Sequence, residues 1–131
     1  SGGIAGIHCC GNTDWPLLMR TSVDILNFDA FMYSEALALY WKEVGDFIER
    51  GGSLAIGVVP STPQIDSMDI NSLTDAFGEV IALLTGRGLN EEKLLESSLV
   101  TPSCGAGSLS IAQCRRMIEL TAELSDVLRG K

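Results

Sequence analysis

Residues 54–59 read Leu-Ala-Ile-Gly-Val-Val, and Pro60 ends this continuous apolar run. A strand with one face in water alternates apolar and polar side chains, whereas an unbroken apolar run is typical of a parallel strand covered on both faces. We interpret residues 23–28 as a second strand of this kind. The two segments therefore predict the centre of a parallel sheet with both faces covered.

Strand and helix patterns alternate along the rest of the chain. Residues 4–10 and 99–101 are two further predicted strands, and apolar residues recur at helical spacing after candidate caps at Ser34 and Asn71 and again over 110–128. Four βα units in a row predict an α/β fold, either as a parallel sheet or as part of a (β/α)8 barrel. The 131 residues suit one domain, and no linker divides them.

The composition excludes several classes of partner. Nine Lys and Arg stand against seventeen Asp and Glu, a net charge of −8. Nucleic acids and anionic membranes are bound by clusters of basic residues, so we expect neither as a partner. No apolar run reaches the roughly 18 residues that span a bilayer, and the first residues lack the pattern of a signal peptide.

The four cysteines indicate a reducing compartment. Cys9 and Cys10 are adjacent, and a disulfide between neighbours is strained. The chain also lacks the loop-rich character of small disulfide-bonded secreted domains. We therefore expect reduced thiols and a cytoplasmic protein.

Residues that bind metals lie at the ends of two predicted strands. His8 and Cys10 close the first strand, and Cys104 follows the last one. Because side chains alternate along a strand, His8 and Cys10 face one way and Cys9 faces the other. Functional groups gather at the carboxyl ends of parallel strands. One imidazole and two thiols there would form a three-ligand zinc set with one position open for a substrate.

The same residues have plainer interpretations. His8 without the cysteines would be an ordinary histidine at a strand end. Cys9 is expected to be a small core residue, and Cys114 is expected to pack inside the last helix.

Two motifs carry a resemblance to a known family. Residues 8–13, His-Cys-Cys-Gly-Asn-Thr, resemble the H-x-C-G-N segment of the uroporphyrinogen decarboxylase and cobalamin-independent methionine synthase-like superfamily. The zinc branch of that superfamily has a distant cysteine in a P-x-C-G context, to which residues 102–105, Pro-Ser-Cys-Gly, are similar. The resemblance covers nearly the whole chain. It implies a (β/α)8 TIM barrel, of which this chain is the carboxyl-terminal half.

The resemblance also implies an activity. The zinc branch transfers a methyl group to a thiol: to homocysteine from a methylfolate, or to coenzyme M from a methylated corrinoid protein. The Gly-Asn pair after the H-x-C motif is closer to the corrinoid-linked branch. The decarboxylase branch lacks the cysteine ligands, so Cys10 and Cys104 argue against it.

The resemblance extends the site beyond the three ligands. A carboxylate near the position of Asp29 is a further zinc ligand in the methionine synthase branch, so Asp29 is a candidate ligand or a residue that orients the His8 ring. Its plain interpretation is a carboxylate beside the next helix. Asn12 and Ser61, which follow strand ends, are candidate substrate-binding residues.

Half a barrel leaves two strand edges unpaired, so three explanations stay open for the other half. It is the rest of a longer enzyme, a different subunit, or a second copy of this chain. The competing hypotheses of function are a non-catalytic half-barrel subunit and a small-ligand binding protein without a metal.

Overall fold

Four parallel strands form one sheet in the order β1-β2-β3-β4, which is also their order along the chain. The structure is a computed structural model and describes residues 2–130. The prediction of an α/β fold with alternating βα units is confirmed, and every predicted strand end lies within two residues of the observed one. The strands are β1 (Gly6–Cys9), β2 (Ile25–Asp29), β3 (Ser53–Val59) and β4 (Ser98–Pro102).

Helices connect the strands. They are α1 (Trp15–Met19), α2 (Ala30–Ala38), α3 (Trp41–Glu49), α4 (Ile70–Arg87), α5 (Glu91–Glu96) and α6 (Ile111–Leu128), with a 3-10 helix at Pro63–Ser67. Both predicted caps are wrong. Asp29 caps α2 and Asp69 caps α4, because each carboxylate accepts hydrogen bonds from the free N–H groups of the first turn. The helix predicted to begin at Ser34 is instead two helices, α2 and α3.

The helices cover one face of the sheet. Right-handed crossovers between strands that follow one another without reversal put every connecting helix on the same side. Leu26 and Phe28 of β2 and Leu54 and Ile56 of β3 point to that side and are fully buried. The opposite face, which we call the open face, carries Leu99 with 47% of its surface exposed. The predicted coverage of both faces is therefore not observed.

The apolar run of β3 has a different cause from the one expected. Its residues on the open face are small, and Ala55 is only 3% exposed because β3 is central and its neighbours' side chains close over it. An unbroken apolar strand thus arises here from small residues on one face and large ones on the other.

Helix α6 carries apolar residues on two sides. Met117, Leu120 and Leu124 are buried, whereas Ile111 is 83% and Ile118 is 63% exposed. The apolar spacing over 110–128 includes these two isoleucines, but they lie outside the buried stripe because α6 is the last helix beside the sheet and no other element of residues 2–130 covers its outer side. Across residues 2–130, none of the helices combines the length and the apolar character needed to cross a membrane.

Candidate metal centre

The three residues singled out as ligands converge. His8, Cys10 and Cys104 each offer a ligand atom, and these atoms all lie within 4.8 Å of one another. All three side chains are exposed. They come from the carboxyl ends of β1 and β4, which are the two edges of the sheet. Strand register confirms that His8 lies on the open face, since it pairs with Asn27 beside the buried Leu26 and Phe28.

Two edge strands meet only if the sheet curls. Neighbouring strands lie about 4.8 Å apart, so the edges of a flat four-stranded sheet are about 14 Å apart. Side chains on β2 and β4 nevertheless touch across β3: Asn27 Nδ2 lies 2.7 Å from Thr101 Oγ1. The open face is therefore concave, and the site lies in its hollow at the carboxyl ends of the strands.

Gly57 of β3 lets the segment before Cys104 cross the sheet. A Cβ atom at position 57 would lie 2.6 Å from the carbonyl oxygen of Phe28 and 2.9 Å from Ser103 Cα. Ser103 N–H donates to the carbonyl of Val59 at 2.8 Å, which ties the segment to the end of β3. The backbone before Cys104 can lie this close to β3 only because position 57 has no side chain.

Ser61 has a structural position. It is 6% exposed, and its hydroxyl lies 3.0 Å from that of Ser103. The Ser103 hydroxyl also accepts from Ser61 N–H at 3.3 Å. Ser61 therefore supports the segment that carries Cys104, and its hydroxyl does not face open space. Asn12, the other candidate for substrate binding, is exposed in the loop after β1.

Asp29 lies on the open face but is not part of the three-residue group. Its Oδ1 accepts from Phe31 N–H at 2.9 Å and Met32 N–H at 3.3 Å at the start of α2. The plain interpretation of Asp29 as a carboxylate beside the next helix thus describes its observed contacts. The residue that contacts the His8 ring is Asn27, whose Oδ1 lies 2.6 Å from Nδ1.

Asn27 is the site residue that the sequence interpretation missed. Asn27 lies between the apolar residues Leu26 and Phe28 of the predicted strand. A polar residue at this position was the feature of the sequence that could have identified it as a site residue.

The remaining cysteines lie apart from the group. Cys9 is half-buried on the helix side, and its Sγ donates to the carbonyl of Gly11 at 3.4 Å. Cys114, inside α6, donates to the carbonyl of Ala106 at 3.4 Å. All four cysteines are free thiols. The expected alternation between Cys9 and Cys10 is confirmed.

The three groups alter one another's protonation. Interaction with the His8 imidazole, followed by the Gly105 N–H, lowers the pKa of Cys104. Hydrogen bonding to Cys104 also raises the pKa of His8. Desolvation opposes this rise, and the hydrogen bond to Asn27 adds to it. Hydrogen bonding to Cys104 raises the pKa of Cys10. Cys104 is therefore the thiol of this group that ionises most readily.

The donor set suits a soft or borderline divalent metal. One imidazole nitrogen and two sulfurs are the ligands that zinc takes in tetrahedral sites, and three protein ligands leave a fourth position for a substrate. A cavity of about 570 Å³ lies away from this group. It lies between α2 and α4 on the helix side and is lined by residues such as Phe31, Glu35 and Val80.

Comparisons of the chain with protein-family profiles, with curated proteins and with solved structures give no match in any of the three. The superfamily resemblance therefore rests on the two sequence motifs alone.

Proposed function

We propose that this chain is the carboxyl-terminal half of a zinc-dependent thiol methyltransferase barrel. The observation that carries the proposal is the group of His8, Cys10 and Cys104, whose ligand atoms lie within 4.8 Å of one another. These are the three residues that the H-x-C-G-N and P-x-C-G motifs single out. The motifs lie at the carboxyl ends of β1 and β4, the two edges of the sheet, so the fold places them at the same end of the sheet but does not by itself bring their side chains together.

The sheet supports the barrel component of the proposal. Strands of a (β/α)8 barrel follow one another in sequence, carry helices on the outside and hold the site at their carboxyl ends. This sheet has the same strand order, a helix layer on one face and a concave open face. Four further strands, from another part of a longer protein, from a different subunit or from a second copy, would close it.

The donor set supports the chemical component. A zinc ion held here would lower the pKa of a substrate thiol and present it as a thiolate nucleophile. His8 must be neutral and both cysteines ionised to bind the ion. Cys104 is best prepared for this by its lowered pKa. Asp29 lies near His8 and contributes to its raised pKa.

The substrates follow from the resemblance. We propose homocysteine or coenzyme M as the thiol and a methylated corrinoid protein or a methylfolate as the donor, with Asn12 near the thiol. The donor would be bound largely by the strands that complete the barrel. A reducing compartment, the cytoplasm in this proposal, would keep Cys10 and Cys104 as thiols.

Metal analysis of the purified, reduced protein tests the proposal. We expect one zinc per chain, with stoichiometry lost in His8→Ala, Cys10→Ser and Cys104→Ser. Cys9→Ser and Cys114→Ser are matched controls, since their sulfurs donate to carbonyls away from the group. Zinc retained in the first three variants, or no zinc in the wild type, would refute it. Methylation of homocysteine or coenzyme M from methylcobalamin then distinguishes the two thiols.

One observation favours the non-catalytic subunit as a second candidate. Exposed apolar residues lie at both sheet edges. They are Ile4 and Ile7, before and within β1, and Ile111 and Ile118 on α6. Such surfaces mark contacts with another chain. A protein that binds zinc and assembles but transfers no methyl group to either thiol would support this candidate.

A further inference from the structure

We propose that Asn27 is a positioning residue that holds His8 in the Nδ1–H tautomer and so directs Nε2 to a metal. The inference rests on the proposed function only for the identity of the metal ion that Nε2 would bind. The tautomer itself follows from hydrogen bonds that cross all four strands.

The first step concerns the orientation of the Asn27 amide. Its Nδ2 lies 2.9 Å from the carbonyl oxygen of Ala55, which can only accept a hydrogen bond. The nitrogen of the amide must therefore face Ala55, because the reversed orientation would bring two acceptor oxygens together. Thr101 reinforces this orientation: its hydroxyl donates to the carbonyl of Pro102 at 3.0 Å and accepts from Asn27 Nδ2 at 2.7 Å.

The second step concerns the imidazole. With Nδ2 facing Ala55 and Thr101, the Asn27 oxygen is the atom 2.6 Å from His8 Nδ1. An amide oxygen only accepts, so Nδ1 carries the hydrogen. A neutral imidazole has one N–H, so Nε2 keeps its lone pair and is the nitrogen able to bind a cation. Asn27 is the partner of Nδ1, and Asp29 instead accepts from two N–H groups at the start of α2.

The third step concerns why the network forms at this point. Asn27 and Thr101 are separated by β3, and Ala55 and Gly57 are the β3 residues in register with Asn27 and Asp29. Their small size leaves the space in which the two polar side chains meet. Hydrogen bonds of this kind to the second nitrogen of a ligating histidine fix its ring and tautomer, and their loss lowers metal affinity by about 10- to 100-fold.

Nitrogen NMR of metal-free protein tests the tautomer directly. His8 is the single histidine of the chain, so ¹⁵N-histidine labelling yields one unambiguous pair of ring signals. At a pH where the ring is neutral, we expect a protonated Nδ1 and an unprotonated Nε2 in the wild type. Asn27→Leu removes the acceptor and should restore the Nε2–H form that an unconstrained imidazole prefers. Asn27→Asp keeps an acceptor for Nδ1 and should keep Nδ1 protonated, while its second oxygen replaces the donor to the Ala55 carbonyl and should lower stability.

Zinc affinity, measured by competition with a chelator, is the second readout. We expect a 10- to 100-fold weaker Kd in Asn27→Leu and a smaller loss in Asn27→Asp, which keeps the acceptor for Nδ1 but not the donor to Ala55, with urea unfolding showing that both variants fold. An Nε2–H signal in the wild type, or an unchanged tautomer in Asn27→Leu, would overturn the inference. If the wild type shows Nδ1–H but binds no zinc, the proposed function fails while the role of Asn27 in setting the tautomer stands.

Discussion

At the scale of single residues, two thiols of the same type behave differently because of their neighbours. Cys104 interacts with His8 and with the Gly105 N–H, and both favour its thiolate, so its pKa is lowered. Cys10 lies beside Cys104, and the hydrogen bond between the two thiols, followed by charge repulsion from Cys104, raises the pKa of Cys10. A metal-free protein therefore holds one reactive and one unreactive thiol within a few ångströms.

This difference predicts the pH dependence of alkylation. The thiolate is the reactive form, and a lowered pKa keeps the thiolate present to lower pH. We expect iodoacetamide to modify Cys104 at a lower pH than Cys10 in chelator-treated protein, read by peptide mass spectrometry in a Cys9→Ser background. His8→Ala should move the alkylation midpoint of Cys104 upward, since it removes the main stabilising partner. Modification of Cys10 before Cys104 would contradict the assignment.

At the scale of secondary-structure elements, β3 determines whether the site can assemble. Its large residues Leu54 and Ile56 pack beneath the helices, and its small residues Ala55 and Gly57 lie on the open face. The small residues allow a side chain of β2 to meet one of β4 and allow the segment before Cys104 to cross close by. β3 therefore contributes to the site because the small residues Ala55 and Gly57 leave space on its open face.

Two glycine substitutions with opposite outcomes test this role. Gly57→Ala would place a Cβ against backbone atoms of Phe28 and Ser103, so we expect a loss of about 1–3 kcal/mol in unfolding free energy and weaker zinc binding. Gly78→Ala, in the exposed middle of α4 with nothing within 4 Å of the added Cβ, should instead raise the unfolding free energy by about 1 kcal/mol.

Urea unfolding and chelator competition on both variants are the measurements. The Gly78→Ala protein should bind zinc as the wild type does, because α4 carries no ligand. Equal stability and equal zinc affinity in the two variants would argue against a close crossing at Gly57.

At the scale of the whole molecule, the sheet has two unpaired edges with apolar residues beside them. At one edge, the exposed apolar residues are Ile4, just before β1, and Ile7, within β1. At the other edge, they are Ile111 and Ile118 of α6. Unpaired parallel edges of this kind favour pairing with another chain. A two-fold axis along the axis of a barrel would join β4 of each copy to β1 of the other and give eight parallel strands.

Light scattering with size-exclusion chromatography tests the assembly. We expect a mass twice the 14.0 kDa of one chain, and a shift toward monomer in Ile118→Glu, which places a charge in the exposed stripe of α6. Met32→Glu is the matched control, because Met32 is 71% exposed on α2, away from both edges. A monomeric wild type, or equal effects of the two substitutions, would contradict pairing of two copies through these edges.

Sequence patterns were sufficient to predict the βα alternation, the approximate strand positions and the three candidate ligands, because these depend on local periodicity and on the alternation of side chains along a strand. The caps predicted at Ser34 and Asn71 were misplaced because α2 and α4 begin earlier, after Asp29 and Asp69, whose carboxylates accept from N–H groups of the first turn.

Tertiary structure alone decided which face of the sheet stays open, that Asn27 and not Asp29 contacts His8, and that Ile118 is exposed. Each of these depends on how far the sheet curls and on which element packs beside it. Curvature and packing arise from contacts between residues far apart in the chain. Such contacts cannot be predicted from the residue pattern of a single strand or helix.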